Sequence, residues 1–179
     1  MLKGVSVGLR AIAKEDLPIL MSWRNQPSFR KYFREYRELN SVQQESWFEN
    51  HVINDRNTEM FSIVELSTGD IIGACGLCYI DWINRNADFS IYIGKDNVYI
   101  DDIYAIEASK LMMKYAFEEL NLHRLWSEIY SFDEKKKKMF AKLGFALEGE
   151  HRQTHWTNGK WCNSLFFGIL NMDDGRPIE

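Results

Sequence analysis

Pairs of cysteines and histidines are the first residues whose type and spacing could do chemistry, by holding a metal ion. Cys75 and Cys78 lie three positions apart in an apolar segment, and in a strand such residues point to opposite faces and cannot share one metal. His151 and His155 lie four positions apart and would share a face, but the sequence offers no clear third ligand. We therefore predict no metal site, and we expect His151 and His155 to be surface or cleft residues.

Glu128 is a candidate for acid–base chemistry because of the residues around it. The alternation over 125–130 is typical of a strand, and a period of two places Trp126 and Tyr130 on the same face as Glu128. A carboxylate in a partly apolar pocket can act as a general base. The alternatives are an edge charge paired with a lysine for Glu128 and strand packing for Tyr130.

Lys135–Lys138 form a run of four lysines in a chain that is acidic as a whole. The formal net charge is -4, whereas nucleic-acid-binding domains usually carry a basic excess. We therefore predict no nucleic-acid partner. The run is interpreted as a solvated helix face, with contact to an anionic ligand as the alternative.

The sequence also lacks the features of membrane and secreted proteins. The longest apolar runs, such as 164–170, are much shorter than the roughly 20 residues that a transmembrane helix needs. Residues 1–10 lack the apolar core and cleavage site of a signal peptide. The chain has 3 cysteines, an odd number that argues against a disulfide framework. We predict a cytoplasmic protein with no membrane partner.

The elements that would position these residues alternate between strand and helix patterns. The 179 residues, 45% of them hydrophobic, suit one domain over 1–179 with a sizeable core. Strands are predicted over 5–10, 60–65, 71–79, 87–93, 125–130, 145–154 and 160–170. Helices are predicted over 15–25, after a Ser41 cap, over 105–120 and over 133–143, where Gly144 ends the last one. This order predicts a mixed α/β sheet with helices on its faces.

Several local patterns in this order resemble the GNAT (N-acetyltransferase) superfamily, in particular its branch of ribosomal-protein N-terminal, spermidine and nucleotide-amino-sugar acetyltransferases. Lys142-Leu143-Gly144-Phe145, at the end of the last helix, is the most specific of them. The others are Trp23-Arg24-Asn25, Ile72–Leu77, Asn84–Asp88, Leu120–Leu125 and Gly159–Leu170. The resemblance covers nearly the whole chain. It implies a GNAT fold, with a mixed and mostly antiparallel central sheet, splayed fourth and fifth strands, and helices on both faces.

The resemblance implies acetyl-CoA as the acetyl donor, bound in the gap between the splayed strands 87–93 and 125–130. The pantetheine arm would pair with backbone groups of the fourth strand, at Ser90, Ile91, Tyr92 and Ile93. The last helix would also line the donor, at Asp133, Lys136 and Phe140. Lys136 would lie near the 3′-phosphate and the adenine.

The diphosphate of the donor would be held where the long helix begins, by N–H groups at Ile103, Tyr104 and Ala105. The family pattern there is Q/R-x-x-G-x-G/A, and Asp101, Asp102 and Ile103 replace its basic and glycine positions. We therefore expect weakened binding. The alternative is that the two aspartates cap a helix that no longer holds a nucleotide.

Acetyl transfer to an amine needs a base, and the departing thiolate benefits from an acid. Asp88 aligns with the acidic residue that many family members carry on the fourth strand; the alternative is a solvent-facing carboxylate beside Arg85. The family's acid is a tyrosine, and its position holds Phe140, which cannot donate a proton. Tyr130 and Ser131 are the candidate replacements.

The acceptor would bind between the first two helices and the closing hairpin, at Arg24, Tyr32, Phe33 and His155. Arg24 could hold an anionic part of the acceptor, and the alternative is a structural hydrogen bond to a loop carbonyl. The resemblance thus implies an N-acetyltransferase that moves an acetyl group to a primary amine of a small molecule or a protein N-terminus, by direct attack in a ternary complex. The competing hypothesis is a catalytically impaired GNAT-fold module with weakened CoA binding. A homodimer is possible, since hairpins in this fold often pair.

Overall fold

The computed structural model of the chain describes residues 1–171, so 172–179 of the predicted 1–179 domain lie outside the described residues. The described residues form one eight-stranded sheet in the order β1-β2-β3-β4-β5-β6-β8-β7. Its strands are β1 (Leu2–Lys3), β2 (Val7–Ala11), β3 (Glu59–Glu65), β4 (Ile71–Asp81), β5 (Asn86–Ile93), β6 (Arg124–Tyr130), β7 (Ala146–Thr157) and β8 (Lys160–Leu170). Neighbours are antiparallel except β5 and β6. The predicted mixed, mostly antiparallel sheet is confirmed.

Helices cover both faces of this sheet. They are α1 (Leu17–Asn25), α2 (Pro27–Arg30), α3 (Ser41–Trp47), α4 (Tyr104–Lys114) and α5 (Glu134–Leu143), and wider π-type turns extend α3 over Phe48–Ile53 and α4 over Tyr115–Glu119. Trp23 of α1 packs edge-on against Tyr92, whereas Phe140 of α5 packs against Phe89. Tyr92 and Phe89 are three apart in β5 and point to opposite faces, so α1 and α5 lie on opposite sides. None of these helices, within residues 1–171, is long and apolar enough to cross a membrane.

Local sequence signals set most helix and turn boundaries, with one correction. Asn40, not Ser41, caps α3: its side chain accepts the Gln43 N–H at 2.9 Å, and the Gln43 side chain accepts the Asn40 N–H at 3.0 Å. This reciprocal pair needs its polar residue one position before the first helical residue. Gly144 ends α5 in the left-handed conformation, with φ of 86°, as its position in the sequence predicts.

The splay of two central strands is the feature that creates a site. β5 and β6 pair only over Asn86–Asp88 with Arg124–Trp126, although β5 runs on to Ile93 and β6 to Tyr130. The predicted separation of these strands is therefore confirmed. Backbone groups beyond Asp88 lose their partner strand and must find other partners.

Candidate active site

A cavity of about 230 Å³ lies where β5 and β6 part. It is lined by side chains of both strands, of α5 and of the segment after α2, among them Arg34, Asp88, Ser90, Ser127, Glu128, Tyr130 and Lys136. Strand alternation accounts for four of these residues, because Asp88 and Ser90 share one face of β5, and Glu128 and Tyr130 share one face of β6. The sequence prediction that Glu128 and Tyr130 lie together is thus confirmed.

Arg34 joins the two carboxylates of this cavity. One terminal nitrogen, Nη1, lies 2.7 Å from Oδ2 of Asp88, and Nη2 lies 3.2 Å from Oε2 of Glu128. Sequence reasoning missed Arg34, and the partner that it considered for Glu128, as the alternative to a catalytic role, was a lysine. Its partners are 54 and 94 positions away in the chain, and no local periodicity predicts contacts between a loop and strands that distant.

Asp88 is almost completely buried, with 4% of its surface exposed. It is therefore not a solvent-facing carboxylate beside Arg85, whose side chain instead bonds Asn121 at 3.3 Å. Burial raises the pKa of Asp88 above its usual value, although the adjacent Arg34 charge acts in the opposite direction. A carboxylate with a raised pKa binds a proton more tightly, so Asp88 has the chemistry of a general base.

Glu128 is held more fully than Asp88. Its Oε2 bonds Arg34, and its Oε1 accepts the Ser164 hydroxyl at 2.5 Å. Ser164 is in turn 2.6 Å from the Thr154 hydroxyl. Because both oxygens already have partners, Glu128 is better placed to orient Arg34 than to take a proton from a substrate.

The two candidate acids differ in position. Tyr130 faces the cavity with its ring stacked on His155 at 3.6 Å between centroids, and burial raises the pKa of Tyr130 to about 12, which makes its hydroxyl a poorer donor. Ser131 lies past the end of β6, where its hydroxyl accepts the Asn163 N–H at 3.3 Å. Phe140 is 1% exposed in an aromatic cluster with Phe145, so its role in this structure is packing.

Lys136 lies inside the cavity and not on a solvated helix face, which corrects that interpretation of the lysine run for this residue. Only 7% of its surface is exposed, and its ammonium lies 5.3 Å from the centre of the Tyr99 ring. Burial lowers the pKa of Lys136, while the charges of Asp133 and Asp88 act to raise it. Asp133, the N-cap of α5, accepts the Lys136 N–H at 3.0 Å.

The open end of the gap is closed by the chain itself. The Ile93 N–H donates to the Tyr99 carbonyl at 2.8 Å, whereas the Gly94 N–H donates to Ile72 of β4 at 2.7 Å. Backbone direction alternates along a strand, so Ile91 also faces the gap, while the backbone groups of Ser90 and Tyr92 face β4. The Tyr99 ring is 4% exposed and stacks on Tyr32 at 4.1 Å.

The start of α4 is likewise occupied. The Tyr104 N–H donates to Oδ2 of Asp101 at 3.0 Å and the Ala105 N–H to Oδ1 at 2.7 Å. Asp102 instead pairs with Lys142 at 2.6 Å, and Ile103 is 66% exposed. Two of the three amides expected to hold a diphosphate, those of Tyr104 and Ala105, are therefore satisfied by a carboxylate, and a CoA-type ligand does not fit this arrangement unless the segment from Tyr99 to Asp102 moves.

A larger cavity of about 470 Å³ adjoins the first, between α1, α3 and the sheet. Arg24 and Glu35 line both cavities, so one ligand could occupy the larger cavity and reach the gap. The guanidinium of Arg24 stacks over Phe33 at 4.5 Å. The structural hydrogen bond considered for Arg24 belongs to its neighbour, since the Asn25 amide donates to the Leu39 carbonyl at 2.8 Å.

This chain is similar in sequence and in fold to known acetyltransferases. A family model described as an acetyltransferase (GNAT) domain matches residues 6–146. The spermidine N(1)-acetyltransferase of Escherichia coli K12 is 32% identical over 160 residues, which cover 89% of this chain and 83% of that protein. The spermidine N-acetyltransferase of Vibrio cholerae in complex with CoA and spermine has a similar fold, with a TM-score of 0.84 and 24% identity over 92% of this chain and 95% of that one. A dodecameric structure of the Vibrio cholerae enzyme has a TM-score of 0.79 at 23% identity, over 94% of this chain and 96% of that one.

Proposed function

The chain belongs to the GNAT acetyltransferase family, and we propose that it moves the acetyl group of acetyl-CoA to a primary amine of a small molecule. This molecule would be held in the two adjoining cavities that Arg24 lines. Membership of this family shows that the chain is an acetyltransferase. We propose in addition the acetyl donor, the kind of acceptor and the roles of the residues. The main support for the proposal is the position of Asp88, a buried carboxylate at the point where β5 and β6 part.

In the proposed reaction the amine attacks the thioester carbon in a ternary complex. A carbon–nitrogen bond forms, the carbon–sulfur bond breaks, and the thiolate leaves with its electron pair. Asp88 accepts the proton that the amine loses, directly or through one water, and Arg34 holds the carboxylate in place. Lys136 lines the cavity at the gap and forms no ion pair within residues 1–171, so we assign it the role of stabilising the thiolate.

Entry of the donor requires the segment from Tyr99 to Asp102 to leave its position. The pantetheine arm would replace the Tyr99 carbonyl opposite Ile93, and the diphosphate would replace the Asp101 carboxylate at the start of α4. In each exchange an acceptor group of the donor molecule would replace an acceptor group of the protein at the same N–H groups. The donor would therefore compete for these N–H groups with the Tyr99 carbonyl and the Asp101 carboxylate.

A cytoplasmic location and a homodimer complete the proposal. Cys75, Cys78 and Cys162 are free thiols, which suits a reducing compartment. The surface for a second copy would be the end of the β7–β8 hairpin, where Trp156 and Trp161 are 57% and 56% exposed.

A titration with a product assay tests the function. We expect acetyl-CoA and CoA to raise the melting temperature in proportion to the logarithm of their concentration, and mass spectrometry to detect an acetylated amine. Asp88→Asn should slow product formation about 10²- to 10⁴-fold without abolishing the shift, whereas Asp70→Asn, in the exposed β3–β4 turn, serves as the matched control. Failure of both stabilisation and product at millimolar acetyl-CoA would contradict the proposal.

A further inference from the structure

The charges that line the two cavities do not balance. Their carboxylates are Glu35, Asp88 and Glu128, and each is already paired with an arginine. Glu35 lies 2.6 Å from Arg37, while Asp88 and Glu128 share Arg34. The cations Arg24 and Lys136 are left over, so within residues 1–171 the combined site offers no free carboxylate to receive a second ammonium group.

Arg24 is the cation placed for an acceptor. It is half-buried, its plane is fixed by stacking over Phe33, and within residues 1–171 its guanidinium makes no hydrogen bond or ion pair. A guanidinium has five N–H donors and remains charged. In a partly enclosed cavity such a group is expected to bind an anion.

Gln44 adds polar groups to the wall of the larger cavity. The residue is 3% exposed and lines this cavity, and its side-chain amide makes no hydrogen bond within residues 1–171. An amide side chain can both donate and accept hydrogen bonds. Gln44 therefore provides a donor and an acceptor that a polar ligand in this cavity would satisfy.

We propose that the acceptor is an amine that also carries an anionic group, a carboxylate or a phosphate, which Arg24 and Gln44 bind while the amine reaches Asp88. The inference rests on the proposed function, because it names the substrate class of that site. Arg24 lines both cavities, so the anion and the amine can occupy adjacent positions. A polyamine of the kind named for the relatives would instead place a second positive charge beside Arg24.

Two amines of equal length make the sharpest comparison. 5-Aminopentanoate and 1,5-diaminopentane present the same reacting amine and differ only in whether the far end is a carboxylate or an ammonium. We expect kcat/KM for acetyl transfer to favour 5-aminopentanoate by at least about tenfold, the usual effect of one charge-assisted hydrogen bond. 2-Aminoethyl phosphate against ethanolamine tests phosphate in the same way and tells the two anions apart.

Variants link the preference to Arg24. Arg24→Gln should remove the preference for the anionic amine, and Arg56→Gln, on the exposed surface outside both cavities, should retain it. Calorimetric titration of 5-aminopentanoate and of 2-aminoethyl phosphate provides a readout that needs no turnover. Binding that Arg24→Gln weakens about tenfold or more, and Asp88→Asn does not, supports the inference.

The two proposals fail in different ways. Acetylation of 1,5-diaminopentane as fast as that of 5-aminopentanoate would overturn the anionic acceptor and leave the acetyltransferase proposal standing. Arg24-dependent binding of the anionic amines without acetylation of any amine would support the anionic ligand and overturn the proposed acetyl transfer. No binding of either anionic amine, or binding that Arg24→Gln leaves unchanged, overturns the inference.

Discussion

Asp88 is a carboxylate that the sheet shields from water, and this has a consequence for the pH dependence of the reaction. Burial raises its pKa, and the base works in its ionised form, so kcat/KM should fall as the pH drops through this raised value. The acidic limb should lie above pH 3.9, the usual value for aspartate. Asp88→Asn should remove the limb and lower kcat/KM about 10²- to 10⁴-fold. A pH–rate profile that is the same in Asp88→Asn would exclude this role.

Lys136 should affect the alkaline side of the pH–rate profile. Burial lowers its pKa, and its charged form stabilises the thiolate, so kcat should fall as the pH rises through a value below the usual 10.4 of lysine. Lys136→Met should lower kcat and remove this alkaline limb, and Lys136→Arg should restore part of the rate while moving the limb upward. Lys135→Met, on the exposed side of α5, is the control, and an equal loss there would point to a general charge effect.

Residues on strands were easier to predict than residues on loops. Alternation placed Glu128 and Tyr130 on one face of β6 because a strand has a fixed period. Arg34 lies outside any helix or strand, and its ion pairs depend on how the chain after α2 crosses the sheet. The burial of Lys136 was missed for a related reason: a run of four lysines does not show which one turns toward the gap.

In the proposed function the segment from Tyr99 to Asp102 controls access to the donor site, and the strength with which it competes with the donor can be measured. Asp101→Asn removes the carboxylate charge from the first N–H groups of α4, so CoA should bind more tightly, by roughly tenfold for one weakened competing charge-assisted hydrogen bond. The same change should cost little helix stability, because asparagine caps helix N–H groups about as well as aspartate does. Calorimetry with CoA and thermal unfolding check both effects.

Asp102→Asn is the matched control for this experiment. Asp102 pairs with Lys142 and does not touch the start of α4, so its substitution should leave CoA affinity nearly unchanged. If both aspartate variants bind CoA alike, charge near the helix is the cause and displacement of a cap is not. If neither differs from the wild type, the diphosphate lies elsewhere.

The limits of prediction at this scale are physical. The splay of β5 and β6 was expected from the resemblance, and the pairing stops where expected. The closure of the gap was not, because it depends on one hydrogen bond from Ile93 to Tyr99 and on the stacking of Tyr99 on Tyr32. Propensities describe neighbours along the chain, and these contacts join separate elements.

At the scale of the whole molecule, β7 leaves one edge of the sheet uncovered. In the part of the chain that the structure describes, β7 pairs with β8 alone, and Trp156 packs against Trp161 at the exposed end of the hairpin, with 5.3 Å between ring centroids. An open edge with exposed aromatic side chains is a natural site for pairing with a second copy.

Light scattering should therefore give the mass of an oligomer for the wild type and of a monomer for Trp156→Lys combined with Trp161→Lys. The melting temperature of the monomeric chain should change little, since both rings are more than half exposed. Ile83→Lys, at an apolar residue that is 92% exposed elsewhere, should leave the mass unchanged. A wild-type protein that is monomeric would end the homodimer proposal.

The hydrogen bond between Ile93 and Tyr99 also bears on how catalysis ends. CoA that stays bound after acetyl transfer would inhibit the enzyme, because it occupies the site that the next acetyl-CoA needs. Here the vacated amides have a tethered replacement at very high local concentration, so reclosure of the strand gap would drive free CoA out. The apparent affinity for CoA and for acetyl-CoA would be reduced by the fraction of molecules in which the gap is open. Weaker binding of CoA would in turn allow faster release of this product.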